Sequence, residues 1–305
     1  MSNALLQPMP EVPGVEHIYV NAGGLRMHVA VSGPEDGPPV MLLHGWPQHW
    51  WLWRNVMPNL AAAGYRVYAP DMRGFGWSEA TGRFCDYDKR NIARDFIALL
   101  DTLGIEKVRL AGHDWGGFAG FLLSMMAPER VDRFLVFNIT PPWLDPRPFN
   151  LLAALKALSR LGYQVIMSTP GLSRVAQAGI GRPFFKDGVT KGSKTPEIWG
   201  GGALDTYLNQ FLAPQRSTAT KFLYRNFLVK ELPLIQLGKY MPVKLTTRTK
   251  MVFGLDDVAI DPDVITGDHS KYATDFSVET VEGAGHFIID ERPELATEKL
   301  LEFFA

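Results

Sequence analysis

Val108-Arg109-Leu110-Ala111-Gly112-His113-Asp114-Trp115-Gly116-Gly117-Phe118 is the stretch that decides the fold. Val108 to Ala111 reads as a short buried strand, and Phe118 to Ala127 as an apolar helix. Between them, Gly112-His113-Asp114-Trp115-Gly116 has the Gly-x-nucleophile-x-Gly form of a nucleophile elbow, with a carboxylate where a serine is usual. The glycines allow a sharp strand-to-helix turn that lifts the central side chain into a strained, exposed pose. A free Asp has a pKa of about 3.9, so it is expected to be ionised at neutral pH and to need no base. Such a carboxylate suits SN2 attack on carbon and an alkyl-enzyme ester, which points away from serine esterases.

Outward from the elbow, strands and helices alternate. His17 to Val20 and Leu25 to Val31 flank Asn21-Ala22-Gly23-Gly24, a hairpin signal. Val40 to Leu43 is an apolar strand closing on His44-Gly45-Trp46-Pro47, followed by a helix over Trp50 to Ala63. Tyr65 to Ala69 is the next strand, and Asp88 to Leu103 a helix stopped by Gly104. Arg133 to Ile139 is a further strand. This rhythm implies an α/β fold with a mostly parallel central sheet flanked by helices and an antiparallel edge.

The rhythm breaks at Thr140-Pro141-Pro142 and returns with the strand Lys250 to Phe253. The intervening stretch is read as helices at Leu151 to Met167, Pro196 to Leu212 and Ser217 to Val229, with a loop running through Pro183. The expected organisation is a core of residues 1–139 and 241–305, with a helical cap inserted over 140–240. Phe276 to Val281 is the last expected strand and Pro293 to Phe304 the last helix.

An elbow nucleophile needs an acid and a histidine further along the chain, in that order. Phe253-Gly254-Leu255-Asp256-Asp257 places carboxylates past a buried strand, and Gly283-Ala284-Gly285-His286-Phe287 a histidine in a glycine-rich loop. Loops at the carboxyl ends of parallel strands share one edge, so Asp114, Asp257 and His286 can converge there, with His113 and Phe287 beside them in the substrate pocket. His286 is expected to act as base for water, oriented by Asp257 in preference to Asp256. The oxyanion hole falls to the backbone N–H groups of Trp46 and Trp115.

Composition narrows the field. The chain has 305 residues, 46% hydrophobic and 21% charged, with a net charge of -1. Nothing there suggests nucleic acid or an anionic membrane as partner. The single cysteine, Cys85, excludes an internal disulfide. The start of the chain lacks a basic, apolar leader, and no run approaches about 20 apolar residues, so a cytoplasmic protein is expected. His44 and His49 are out of register for a shared metal, and no phosphate or dinucleotide fingerprint occurs, so neither metal nor cofactor is expected.

With His44-Gly45-Trp46-Pro47, Asp71-Met72-Arg73-Gly74-Phe75-Gly76-Trp77-Ser78, Gly112 to Gly117 and Gly283 to Phe287 in hand, the chain resembles the α/β-hydrolase-fold epoxide hydrolases. These motifs span nearly its whole length. The resemblance implies an epoxide and water as substrates and two cap tyrosines that donate to the epoxide oxygen. Tyr163-Gln164 with Pro170-Gly171 matches the first motif, and Phe222-Leu223-Tyr224-Arg225-Asn226 the second, with Tyr207 a poorer substitute. Ring opening leaves a basic alkoxide, which a phenol can protonate. Trp, Phe, Leu and Met in the chain suggest an apolar or aromatic epoxide. The related haloalkane dehalogenases use the same aspartate and are the competing reading; a ligand receptor on a retired hydrolase fold is a third.

Overall fold

The computed structural model describes residues 7–143, 162–265 and 267–305. Eight strands form one sheet: β1 (Val15–Ala22), β2 (Leu25–Ser32), β3 (Pro39–Leu43), β4 (Arg66–Pro70), β5 (Val108–His113), β6 (Val131–Phe137), β7 (Arg248–Gly254) and β8 (Phe276–Val281). Their spatial order is β1-β2-β4-β3-β5-β6-β7-β8. The β1–β2 and β2–β4 pairs are antiparallel, and every pair from β4 to β8 is parallel. The hairpin and the parallel body are those expected from the sequence.

Side-chain alternation divides the core between the two faces of the sheet. Met41 and Leu43 of β3 face the layer of α2 (Lys89–Thr102) and α3 (Asp114–Met126). Val40 and Leu42 face α1 (Met57–Ala62) and the C-terminal α11 (Pro293–Phe304). α2 is capped by Asp88, whose carboxylate accepts from the Arg90 N–H at 3.0 Å, and it stops before Gly104 at φ +66°. α3 begins at Asp114 itself, four residues earlier than its apolar run suggests. Glycine's poor helix propensity hides this in the sequence. The helix expected over Trp50 to Ala63 is split into a 3-10 turn, Trp50–Trp53, and α1.

Among the described residues, no strand lies between β6 and β7. That region holds a helical turn at 162–168 (α4), α5 (Leu172–Ala178), α6 (Arg182–Lys191), α7 (Ala203–Leu208), α8 (Pro214–Asn226) and α9 (Leu232–Gln236). A π-helical turn, Phe227–Glu231, joins α8 to α9. The helix expected from Leu151 falls mostly outside the described residues. The expected loop through Pro183 is corrected: α5 and α6 occupy it. Gly171 and Gly181 sit just before these helices and Pro183 lies in the first turn of α6, where proline's missing N–H has no partner to lose. Among the described residues the remaining α-helix is α10 (Ile288–Glu291). No helix among the described residues is long and apolar enough to cross a membrane.

Candidate active site

β3 and β5 are direct neighbours, with Leu43 opposite Gly112. The chain leaving β3 therefore passes beside the β5–α3 turn. Asp114 sits on that turn at φ +49°, a left-handed conformation unfavourable for a side chain with a Cβ. The glycines permit it. A Cβ on Gly116 would overlap the His44 and Leu43 carbonyls, and one on Gly45 would overlap the Asp114 carboxylate.

Asp114 is 6% exposed. Its Oδ1 accepts the Trp46 N–H at 2.8 Å, and the Trp115 N–H also reaches the group. The Trp46 peptide is itself held from behind. His44 Nδ1 donates to the Gly45 carbonyl at 2.9 Å, and His44 Nε2 accepts the Met72 N–H at 2.9 Å.

The loops after β7 and β8 bring the other two groups. His286 Nε2 stands 3.7 Å from Asp114 Oδ2, and His286 Nδ1 donates to Asp257 Oδ2 at 2.8 Å. Asp257 is buried and receives further hydrogen bonds from Ala259 N–H (2.7 Å), Ile260 N–H (2.9 Å) and Asn138 Nδ2 (2.8 Å). Asp256, the alternative acid, points outward and pairs with Lys194 at 3.4 Å.

Burial and charge set the protonation states. Burial raises the Asp114 carboxyl to about 6, against the opposing pull of His286 and the two amides. The sequence expectation of an ordinary carboxyl is corrected accordingly: Asp114 remains mostly ionised at pH 7 but is much closer to its midpoint. Burial alone would lower His286, yet the charges of Asp257 and Asp114 outweigh it and lift the imidazole to about 9. Asp257 is held below the usual carboxylate range because His286 and the donors around it overcome its burial.

Tyr163 and Tyr224 meet edge to face, with ring centroids 5.7 Å apart. Tyr224 also packs edge-on to Trp46 at 5.1 Å and Trp115 at 5.6 Å. Burial and then nearby charge, Asp114 included, raise both phenols above their ordinary value, so both are neutral donors at pH 7. Tyr207 lies elsewhere: its hydroxyl contacts Asp290 at 3.0 Å and Arg54 at 2.9 Å.

Two cavities adjoin at Tyr163, Ala259 and His286. The larger, about 860 Å³, is walled by Trp46, Phe184, Phe185, Val189, Leu255 and Phe287 among others. The smaller, about 50 Å³, reaches Asp114, Trp115 and Gln164. His113 is placed behind the site, on neither cavity wall, where its Nε2 donates to the His286 carbonyl at 2.7 Å.

Two supporting residues escaped the sequence reading. Asn138, at φ +42° after β6, ties Asp257 to the Gly254 N–H and the Gly285 carbonyl. Glu291 accepts the Gly285 N–H at 2.8 Å and the Ser193 hydroxyl at 3.0 Å, fixing the His286 loop. A lone Asn or Glu carries no motif. The only signal was the tolerance of Asn for positive φ at a strand end.

The model of the α/β hydrolase fold family matches residues 38–166. Epoxide hydrolase 1 of Siraitia grosvenorii is 30% identical over 317 aligned positions, covering 95% of this chain and 98% of that protein. The AB hydrolase superfamily protein YfhM of Bacillus subtilis is 28% identical, with the same coverage. The solved structure of the epoxide hydrolase CorEH without ligand superposes with a TM-score of 0.80 at 26% identity, covering 95% of this chain and 98% of that one. The chain belongs to the epoxide hydrolases of the α/β-hydrolase fold.

Proposed function

We propose that the chain converts an apolar or aromatic epoxide and water into a vicinal diol through an ester on Asp114. Asp114 Oδ2 attacks a ring carbon, the carbon–oxygen bond breaks, and Tyr163 and Tyr224 supply a proton to the departing oxygen. Water then attacks the Asp114 carbonyl carbon and gives its proton to His286, which Asp257 orients. The N–H groups of Trp46 and Trp115 hold the resulting oxyanion. Collapse expels the diol, whose oxygen takes the proton back from His286, and the proton left on the Asp114 carboxyl passes to the tyrosinate, restoring both groups. Residues 140–240 serve as a helical cap that carries both phenols, and the cytoplasm is the proposed location.

The observation that carries this reading is the position of Asp114. One carboxylate oxygen rests on the Trp46 amide while the other faces His286 Nε2 at 3.7 Å. The relatives named epoxide hydrolases support the same reading over the dehalogenase alternative, as do two neutral phenols beside the carboxylate, since a departing halide takes no proton. The large cavity and its aromatic and aliphatic walls support an apolar substrate.

Oxygen tracing tests the ester. With enzyme in excess over epoxide in H₂¹⁸O, the first diol should carry the unlabelled oxygen of Asp114, and the Asp114 peptide should gain ¹⁸O. Label in that first diol and none in the peptide would mean direct hydration by water.

A further inference from the structure

Lys89 is a lysine with no exposure to solvent, sealed between α2, the start of α3 and the end of α8. Its Nζ forms an ion pair with Glu231 Oε2 at 2.9 Å and donates to the Leu223 carbonyl. The same ammonium lies 4.5 Å from the centroid of the Trp115 ring and 5.5 Å from that of Phe227. Glu231 grips both ends of the lysine, because its Oε1 also accepts the Lys89 backbone N–H at 2.8 Å. Next to it, Lys230 pairs with Asp88 at 2.6 Å. Residues 88–89 of the sheet domain are thus clasped to residues 230–231 of the inserted helices.

Holding two charges out of water costs more than packing apolar side chains of similar volume, so a buried pair is a poor device for stability alone. The contacts of this pair point to another use. Leu223 precedes Tyr224, so the ammonium fixes the backbone that carries the phenol. Trp115 has Lys89 over its ring and the Tyr224 ring against it at 5.6 Å, and its backbone N–H reaches Asp114. Cation–π attraction in such a dry setting holds an indole in one orientation. The π-helical turn Phe227–Glu231 follows α8 directly and brings Glu231 under Lys89. Such turns recur at functional sites, where they re-aim side chains that a regular helix would misplace.

We infer that Lys89 and Glu231 are positioning residues for epoxide opening, which lock the Tyr224 phenol and the Trp115 indole in register with Asp114. The inference rests on the proposed role of Tyr224 and assigns the pair no contact with substrate. It concerns ester formation only: the pair touches the Trp115 ring, whereas the Trp115 N–H that serves the oxyanion is held by the first turn of α3, and His286 and Asp257 stand on separate loops that the pair does not touch.

The test is a cycle between the pair and the phenol, read by single-turnover kinetics that separate ester formation from ester decay. The double variant Lys89→Met/Glu231→Gln removes both charges together, leaving neither buried alone. It should slow ester formation about tenfold, since small displacements of a reacting group are costly, and leave decay unchanged. In a Tyr224→Phe background the same double substitution should slow formation less than about twofold, because its effect runs through the phenol. Equal slowing in both backgrounds, slowed decay, or unchanged formation would overturn the inference. If the double variant fails to fold, Glu231→Asp keeps both charges, draws the carboxylate back by one methylene, and enters the same cycle with the same outcomes. Tyr224→Phe by itself reads the underlying assignment: unchanged ester formation there refutes the role of the phenol, and the positioning inference with it.

Discussion

His286 Nε2 stands 3.7 Å from Asp114 Oδ2, close enough for charge attraction and too far for a hydrogen bond. The histidine is therefore not set up to deprotonate the aspartate, which has no proton to give when ionised. In the proposed mechanism it receives a proton from a water attacking the Asp114 carbonyl carbon.

The acid behind the histidine is the first test. Asp257→Asn removes the charge that holds His286 Nδ1–H in place. Ester decay should slow by about 10³ to 10⁴, the cost of losing the orienting acid in comparable triads, while ester formation changes far less. Asp256→Asn, altering an exposed group, should change neither step by more than about twofold. Rapid-quench measurement of the ester distinguishes the two variants.

The pH dependence has a definite sign in each step. Asp114 titrates near 6, so ester formation should fall as pH drops through 6 and the nucleophile takes up a proton. His286 titrates near 9 in the free enzyme, partly because Asp114 is negative. Esterification removes that charge, so the imidazole should then titrate below 9. Ester decay should rise with pH and level off before 9. Stopped-flow traces from pH 5 to 9 check both limbs, and ester formation equally fast at pH 5 and 8 would be incompatible with the assignment.

The space around the nucleophile makes a third prediction. A methyl at Gly45 overlaps the Asp114 carboxylate, while the residue lies in a loop and not in a strand or helix. Gly45→Ala should keep the fold, by circular dichroism, and slow ester formation at least about 10²-fold through displacement of the attacking oxygen.

The phenols supply a fourth. Tyr163→Phe and Tyr224→Phe should each slow ester formation by about 10² or less, since one donor remains. The double variant should lose most ring opening while still binding diol product. Full activity in the double variant would remove the phenols from the mechanism.

Much of this site was legible because its parts sit at strand ends. Val108 to Ala111, Lys250 to Phe253 and Phe276 to Val281 are short apolar or alternating runs, and glycine-rich loops follow the β5 and β8 strands. Chain order then placed Asp114, Asp257 and His286 on one edge of the sheet. The electrostatics were not legible. The shift of Asp114 to about 6 arises from burial beneath Trp46, Trp115 and the phenols, contacts between residues far apart in the chain. The helices α5 and α6 were missed because Gly171, Gly179, Gly181 and Pro183 look like breakers, although they mark helix ends. Lys89 carries no motif of its own, and its burial comes from residues distant in the chain: Trp115, Leu223, Phe227 and Glu231.

The central claim is a covalent ester on Asp114 that depends on His286 for release. Intact-protein mass of the His286→Gln variant, after exposure to a mixed panel of epoxides and alkyl halides, tests it most directly. The account predicts a gain equal to one whole epoxide, mapped to the peptide bearing Asp114. A gain equal to an alkyl group without its halogen would contradict it in favour of a dehalogenase, and an adduct on any other residue would contradict the nucleophile itself.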